Sequence, residues 1–144
     1  MQIDDSIQSK FLEQLKANGL RFTHVRQEIF YLMASENEPL SIQYIASKIN
    51  NAHFVSIYRS IDALQKAGIV KQVPQGFKNL FELSDMFKPH HHHATCEICS
   101  KSIEINNKRI EILMKELTKE AGLIPTKHHF EMYGICNNCS EGLI

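Results

Sequence analysis

The segment PHHHHATCEICS, residues 89–100, places four histidines and two cysteines within twelve positions. Both residue types are strong ligands for transition metals, so their density here predicts metal binding. A purification tag would lie at a chain end, whereas this run has apolar sequence on both sides. The segment is therefore expected to be an integral part of a folded, metal-binding domain.

The two cysteines of this segment form one of two CxxC pairs, Cys96–Cys99 and Cys136–Cys139, which together use all four cysteines of the chain. In a reducing cytosol such pairs are more often metal ligands than disulfides. Four thiolates at about 2.3 Å from one ion make a closed tetrahedral zinc site. A thioredoxin-like redox pair is the alternative, but two pairs without a βαβ context do not favour it. The spacing predicts a structural zinc that closes the two ends of a small domain.

The histidine run leads into a predicted strand over residues 91–95. Successive side chains of a strand point to opposite faces, so His91 and His93 share one face while His90 and His92 share the other. One short run can therefore supply two metal sites. Imidazole completed by carboxylate suits iron, manganese or zinc. The further candidate ligands are Glu82, Asp85, Glu104, Glu111, His128 and His129. The alternative is a solvated polar run that binds metal adventitiously.

The region before the histidines predicts four helices followed by a hairpin. Thr23 and Ser41 are candidate N-caps of the second and third helices, and the fourth is expected from Val55 to Ala67. Apolar runs at 69–73 and 79–83, separated by a turn, predict the hairpin. This order is typical of a winged helix-turn-helix domain, although an unrelated helical domain with a hairpin would share it.

The region after the histidines alternates between strand and helix patterns. Strands are predicted over 91–95, 102–105 and 129–135, and a helix over 107–121. The helix has an apolar face of Ile110, Leu113, Met114 and Leu117. The predicted fold class is α+β. It comprises a winged-helix domain (1–84), a hinge (85–89) and a small α/β metal-binding domain (90–144).

Composition limits the classes of protein that fit. The chain has 144 residues with 16 basic and 16 acidic side chains, so its net charge of zero gives no indication of nucleic-acid binding. No apolar stretch approaches the roughly 18 residues of a membrane span, and the polar N-terminus lacks a signal-peptide pattern. We therefore expect a cytoplasmic protein that has no membrane partner.

The order of these segments resembles that of the ferric uptake regulator (Fur) family of bacterial metal-dependent repressors. The likeness covers nearly the whole chain. It rests on GLRFTHVRQEIF (19–30), VSIYRSIDALQKAGIV (55–70), LFEL (80–83), HHHHATCEIC (90–99) and HHFEMYGICNNC (128–139). The resemblance implies that residues 1–84 form a winged-helix DNA-binding domain and residues 90–144 an α/β dimerisation domain. It also implies a homodimer that binds an inverted repeat in double-stranded DNA when loaded with metal, repressing metal-uptake genes without being an enzyme.

The resemblance also assigns ligands position by position. The structural zinc would be held by Cys96, Cys99, Cys136 and Cys139. A sensory site near the hinge would use His91, His93 and Glu104 with an acidic residue, either Asp85 or Glu82. An additional site would use His90, His92, Glu111 and His128. Many members supply a further histidine before the third helix, where this chain has Glu38.

The resemblance places DNA contacts on the fourth helix, where Tyr58 and Arg59 match the family's Tyr-Arg pair. If Ile57 and Ile61 face the core, the residues facing the groove would be Ser56, Tyr58, Arg59 and Ser60. Arg21 and Arg26 lie upstream, and Lys66 and Lys71 add positive charge for phosphate contacts. A core tyrosine and a solvated arginine are the alternatives.

The metal that is sensed is less constrained by the sequence. Peroxide sensing in the family is associated with aspartate at the position of Glu104, and no cysteine remains for a thiolate sensory ligand. The expected cofactors are structural Zn²⁺ and regulatory Zn²⁺ or Fe²⁺, with Mn²⁺ possible. One competing hypothesis is a zinc-ribbon module that binds RNA or protein. A zinc metalloenzyme is another, although no HExxH motif is present.

Overall fold

The computed structural model describes residues 4–75, 78–126 and 128–142. The chain forms two compact units, residues 1–89 and 90–144. The first contains α1 (Asp5–Ala17), α2 (His24–Ser35), β1 (Leu40–Ser41), α3 (Ile42–Lys48), α4 (Phe54–Lys66), β2 (Val70–Gln75) and β3 (Lys78–Leu83). The second contains β4 (His92–Cys96), β5 (Ser102–Ile105), α5 (Lys108–Glu120), β6 (Glu131–Gly134) and α6 (Asn137–Glu141). The predicted α+β class and winged helix are confirmed.

Side-chain caps explain where several helices begin. The Thr23 hydroxyl accepts a hydrogen bond from the Arg26 backbone N–H, and Ser41 caps α3 in the same way. Such caps satisfy donors that the first turn of a helix leaves unpaired. At the other end of α4, Gly68 adopts a left-handed φ of +69°, which lets the chain turn directly into β2.

The first unit is built around an apolar core that gathers all four of its helices. The Phe30 ring stacks on Phe11 with centroids 4.2 Å apart and meets the edge of Phe87 at 5.0 Å. Ile57, Ile61 and Leu64 bring one face of α4 into the same core. The opposite face of α4 is thereby left toward solvent.

The wing of this unit is a three-stranded sheet in the order β1-β3-β2. The β2–β3 hairpin was predicted, and its antiparallel register pairs Lys71 with Glu82. The third strand was not predicted. It consists of two residues, with Leu40 opposite Phe81, and is too short to show an alternating pattern.

Residues 84–88 form hydrogen bonds and packing contacts with the rest of the first unit. The Ser84 hydroxyl donates to the Gly68 carbonyl at 2.7 Å, and Lys88 Nζ donates to the Glu36 carbonyl at 2.8 Å. Phe87 is buried against Phe30. Most of the segment predicted as a hinge is therefore held by the winged helix, and the boundary between units falls after Pro89.

The second unit is a three-stranded sheet in the order β5-β4-β6. The central strand β4 pairs antiparallel with β5 and parallel with β6. Helix α5, which connects β5 to β6, has no buried residue. Ile110 and Met114 of the predicted apolar face are half-buried, but Leu113 and Leu117 are more than half exposed. Among the described residues, no helix is both long and apolar enough to cross a membrane.

Truncation of Phe30 tests the aromatic cluster. The Phe30→Ala variant should lose about 3–5 kcal/mol of unfolding free energy, because the ring is fully buried between two other rings. Urea denaturation followed by circular dichroism would measure it. The matched control is Phe54→Ala, since Phe54 is 51% exposed and should change stability by less than about 0.5 kcal/mol. Equal losses in both variants would contradict this account of the core.

Candidate metal centres and nucleic-acid interface

Backbone geometry brings the two CxxC pairs together. Cys96 ends β4, and a turn closed by the Ser100 N–H on the Cys96 carbonyl at 2.9 Å carries Cys99 back toward it. Cys136 immediately precedes α6, and that short helix returns Cys139 to the same point. Because β4 and β6 are adjacent parallel strands, both turns lie at the same edge of the sheet.

The sulfur spacing suits one tetrahedral ion. The Sγ atoms of Cys99 and Cys136 are 3.8 Å apart, and all four Sγ atoms lie within 4.8 Å of one another. Bonds of about 2.3 Å to zinc require a sulfur–sulfur edge of about 3.8 Å. A disulfide would need a separation of about 2.0 Å. All four cysteines are free thiols that fit a zinc ion.

Two thiols of this cluster have shifted proton affinities. Backbone hydrogen bonds, foremost from Cys136 and then from Cys99, lower the pKa of Cys96 to about 6. Hydrogen bonds with Cys136 and Cys99 raise the pKa of Cys139 to about 12. Near pH 7 Cys96 is thus a ready thiolate, whereas Cys139 must give up its proton when a metal binds.

A second cluster lies around α5 and contains His90, His92, Glu111 and His128. Glu111 Oε1 is 2.6 Å from His92 Nε2 and 3.2 Å from the Nε2 atoms of both His90 and His128. His90 Nε2 and His128 Nε2 are 3.1 Å apart. Burial works against ionisation of Glu111, but the His92 hydrogen bond and the neighbouring imidazoles lower its pKa. These four donors converge closely enough to bind one divalent ion.

The third cluster lies on the opposite face of β4. The rings of His91 and His93 are 4.8 Å apart, and His91 Nε2 is 3.8 Å from Glu104 Oε1. Both histidines are buried. His93 Nδ1 shares a 3.2 Å hydrogen bond with Ser102, which fixes the orientation of the imidazole ring. The alternation predicted from the sequence thus separates the four histidines into two sets.

The two acidic candidates for the hinge position, Glu82 and Asp85, share one partner in the first unit. Lys71 Nζ is 3.2 Å from Glu82 Oε1 and 2.6 Å from Asp85 Oδ1. Burial works to lower the pKa of Lys71, but the Asp85 hydrogen bond and the two carboxylate charges outweigh it and raise the pKa. Lys71, expected from its charge to contact phosphate, is instead committed to these carboxylates. Glu38 is exposed.

The outer face of α4 carries the predicted nucleic-acid contacts. Tyr58 is 59% exposed, and Ser56 and Arg59 are also exposed. The expectation that Ser60 faces outward was wrong, because it lies on the same helical face as Ile57 and Ile61 and is 8% exposed. Ser56, Tyr58 and Arg59 are therefore not part of the core.

The upstream arginines differ in environment. Arg21 is exposed, while Arg26 is half-buried and donates through Nη1 to the Arg21 carbonyl oxygen. Lys66 pairs with Asp62 at 2.8 Å on the surface of α4. Arg26 therefore supports the turn before α2, and Arg21 is the more accessible of the two arginines.

The supporting roles of two residues were not predicted from the sequence. Ser102 orients His93, and Lys71 neutralises Glu82 and Asp85. A serine or a lysine has no distinctive motif, so only the strand register reveals these roles. The pairing of Lys71 opposite Glu82 could have been predicted by counting back across the hairpin from its turn.

Comparison with known proteins gives consistent matches along both units. A model of the ferric uptake regulator family matches residues 17–133. The peroxide-responsive repressor PerR of Staphylococcus saprophyticus is 28% identical, with 97% of this chain and 93% of that protein aligned. The ferric uptake regulation protein of Campylobacter jejuni is 27% identical over 95% and 90% of the two chains. The structure of Helicobacter pylori Fur, which reveals three functional metal-binding sites, matches with a TM-score of 0.80 at 26% identity, covering 94% and 93%.

Replacement of one thiolate tests the four-cysteine cluster. Cys136→Ser should lose the zinc that survives mild chelation and should unfold the second unit, because three thiolates leave the ion open and weakly held. Elemental analysis and circular dichroism would measure both effects. Ser140→Ala is the matched control, since Ser140 is also part of α6 but has no metal-binding thiol. Full zinc retention in Cys136→Ser would refute the assignment.

Proposed function

The chain belongs to the ferric uptake regulator family and is a metal-responsive transcriptional repressor rather than an enzyme, and we propose that it acts as a homodimer on an inverted repeat of double-stranded DNA. A repressor works where the chromosome is, so we place the protein in the cytoplasm. The observation that supports metal control of this binding is the separation of His91 and His93 from His90 and His92 into two clusters at the start of β4, each with its own carboxylate.

DNA recognition is assigned to α4. Its inner face is held in the core, and its outer face presents Ser56, Tyr58 and Arg59 to solvent. A winged helix inserts such a helix into the major groove, where arginine can pair with guanine and aromatic or apolar groups contact thymine methyls. Arg21 contributes a phosphate contact, and Arg26 acts mainly by holding the turn that carries Arg21.

Dimerisation is assigned to the second unit. Helix α5 exposes Ile112, Leu113 and Leu117, each by more than half of its surface. An apolar helix face of this kind is costly in water and is typical of a subunit interface. A twofold dimer would present two α4 helices to two half-sites, which requires a symmetric operator.

Two kinds of metal site follow from the donor atoms. We assign the four-cysteine cluster to structural zinc, since four thiolates close the coordination shell. We assign His91, His93 and Glu104, completed by Asp85 or Glu82, to the regulatory ion. The cluster of His90, His92, Glu111 and His128 is assigned to a further divalent ion. Bound at these sites, a divalent cation supplies positive charge and fixed coordination.

Iron(II) is our leading choice for the regulatory metal, with zinc and then manganese as alternatives. Two histidines and a carboxylate form a donor set that suits iron(II), although imidazole also suits zinc. All four cysteines lie in the structural cluster, so no thiolate remains to favour zinc in the sensory set. The related Campylobacter protein is named as a ferric uptake regulator.

Regulation requires that the ion bind one arrangement of the protein better than another. Ligands drawn from before and after Pro89 would make the ion sensitive to that arrangement, and its binding would shift the population toward the DNA-binding form. A coupling of about 1–3 kcal/mol gives roughly a five- to 150-fold change in DNA affinity. We expect metal binding to change the DNA affinity of the repressor within this range.

A metal titration tests the proposed function. Iron(II), zinc and manganese(II) would each be added to untagged, zinc-retaining protein while anisotropy of its labelled promoter fragment is followed, with a scrambled duplex as control. We expect affinity to rise about ten- to a hundredfold with iron(II) at the lowest free concentration. A response to zinc first would correct the metal. Unchanged DNA affinity with all three metals would refute metal-dependent repression.

The two histidine faces can be tested separately. His91→Ala should abolish most of the metal-stimulated DNA affinity while leaving structural zinc in place, because His91 belongs to the assigned regulatory set. His92→Ala is the matched variant from the adjacent position and opposite face. It should retain stimulation while binding less divalent metal in total. Anisotropy and equilibrium dialysis would measure the two effects, and the reverse pattern would exchange the assigned roles of the faces.

A further inference from the structure

We propose that Lys71 is a resident cation at the hinge carboxylates, which the regulatory metal must displace, so that this lysine sets the metal concentration at which the repressor responds. The inference rests on the proposed function, because it assumes that Glu82 or Asp85 ligates the regulatory ion. It adds a specificity-determining residue that is not itself a metal ligand.

The first support is geometric. Lys71 lies directly opposite Glu82 in the β2–β3 register, and its ammonium reaches Asp85 two residues beyond the end of β3. The two separations, 3.2 Å to Glu82 Oε1 and 2.6 Å to Asp85 Oδ1, place one Nζ atom between both carboxylates. The Lys71 ammonium therefore contacts both candidate acidic ligands.

The second support is burial. The side chain of Glu82 is 2% exposed and that of Lys71 is 30% exposed. A buried carboxylate is unfavourable unless a charge or hydrogen bonds compensate it, so a cation beside Glu82 stabilises its ionised form. Lys71 provides such a cation without metal. The pair of Lys66 and Asp62 makes a contrast, because both of those side chains are more than half exposed.

The two cations compete for the same oxygens. A divalent ion that binds Glu82 or Asp85 must take a carboxylate from the ammonium, and it experiences the repulsion of any positive charge that stays nearby. By linkage, the free energy of the Lys71 interactions that are lost when the metal binds is subtracted from the metal's binding free energy. Lys71 therefore weakens metal binding and keeps the site responsive instead of permanently filled.

Cobalt(II) is a suitable probe because its visible absorbance reports coordination directly. The titration would use full-length protein that retains structural zinc and carries His90→Ala and His92→Ala, which disable the other histidine cluster. In this background Lys71→Met should bind cobalt about tenfold or more tightly, and the gain should persist without DNA. Lys71→Arg, which keeps the charge, should bind no more tightly than the parent.

The matched control is Lys66→Met, which removes a lysine from an exposed ion pair and should leave cobalt affinity unchanged. Lys71→Gln provides a second neutral variant in case methionine prevents folding, and it should show the same gain. Circular dichroism would establish that each chain is folded. Unchanged or weaker cobalt binding in a folded neutral variant would overturn the proposal.

Two further variants separate this inference from the proposed function. Glu82→Gln and Asp85→Asn should identify the acidic ligand by a loss of cobalt affinity. If neither weakens cobalt binding, the hinge ligand assignment fails, and the role of Lys71 fails with it. If either weakens binding while the neutral Lys71 variants match the parent, the metal site stands and the inference about Lys71 alone is overturned.

Discussion

The second unit depends on four sulfur atoms meeting at one point. Among described residues 90–126 and 128–142, Cys96 is the one buried apolar side chain. The other buried residues there are three histidines and Ser102. So small a unit without an aliphatic core cannot offset the entropy of folding by apolar burial alone. A closed ion at the ends of β4 and β6 supplies the missing constraint. The first unit, with its aromatic and aliphatic core, has no such need.

This division of stability also separates the functions. The winged helix is held by its own packing and can present α4 without metal. The second unit has little apolar core, and the sulfur cluster holds together the ends of β4 and β6. The sheet thus stabilised positions the histidines and carboxylates. Under the proposed assignment, structure and sensing are chemically distinct. Soft thiolates would bind one ion tightly, while mixed nitrogen and oxygen donors would bind another ion that can exchange.

Much of this arrangement could be predicted from the sequence because it follows strict periods. The two-residue period of a strand assigned the four histidines to two faces, and CxxC spacing identified the sulfur cluster. Predictions failed where the environment of a side chain depends on residues that are distant in the sequence. Ser60 was placed outside because helical phase was judged from two isoleucines, and Lys71 was assigned to DNA by charge alone. Leu113 and Leu117 belong to an apolar face, yet a single chain leaves them uncovered.

The unbroken run of histidines has a further consequence for the central strand. Shifting a strand by one residue sends every side chain to the opposite face, which ordinarily destroys any site built on it. In a run of four identical residues, however, such a shift exchanges imidazole for imidazole at most positions. The same shift would turn Cys96, the last residue of β4, away from the other three cysteines. The sulfur cluster therefore fixes the register of a strand whose histidines alone would leave it ambiguous.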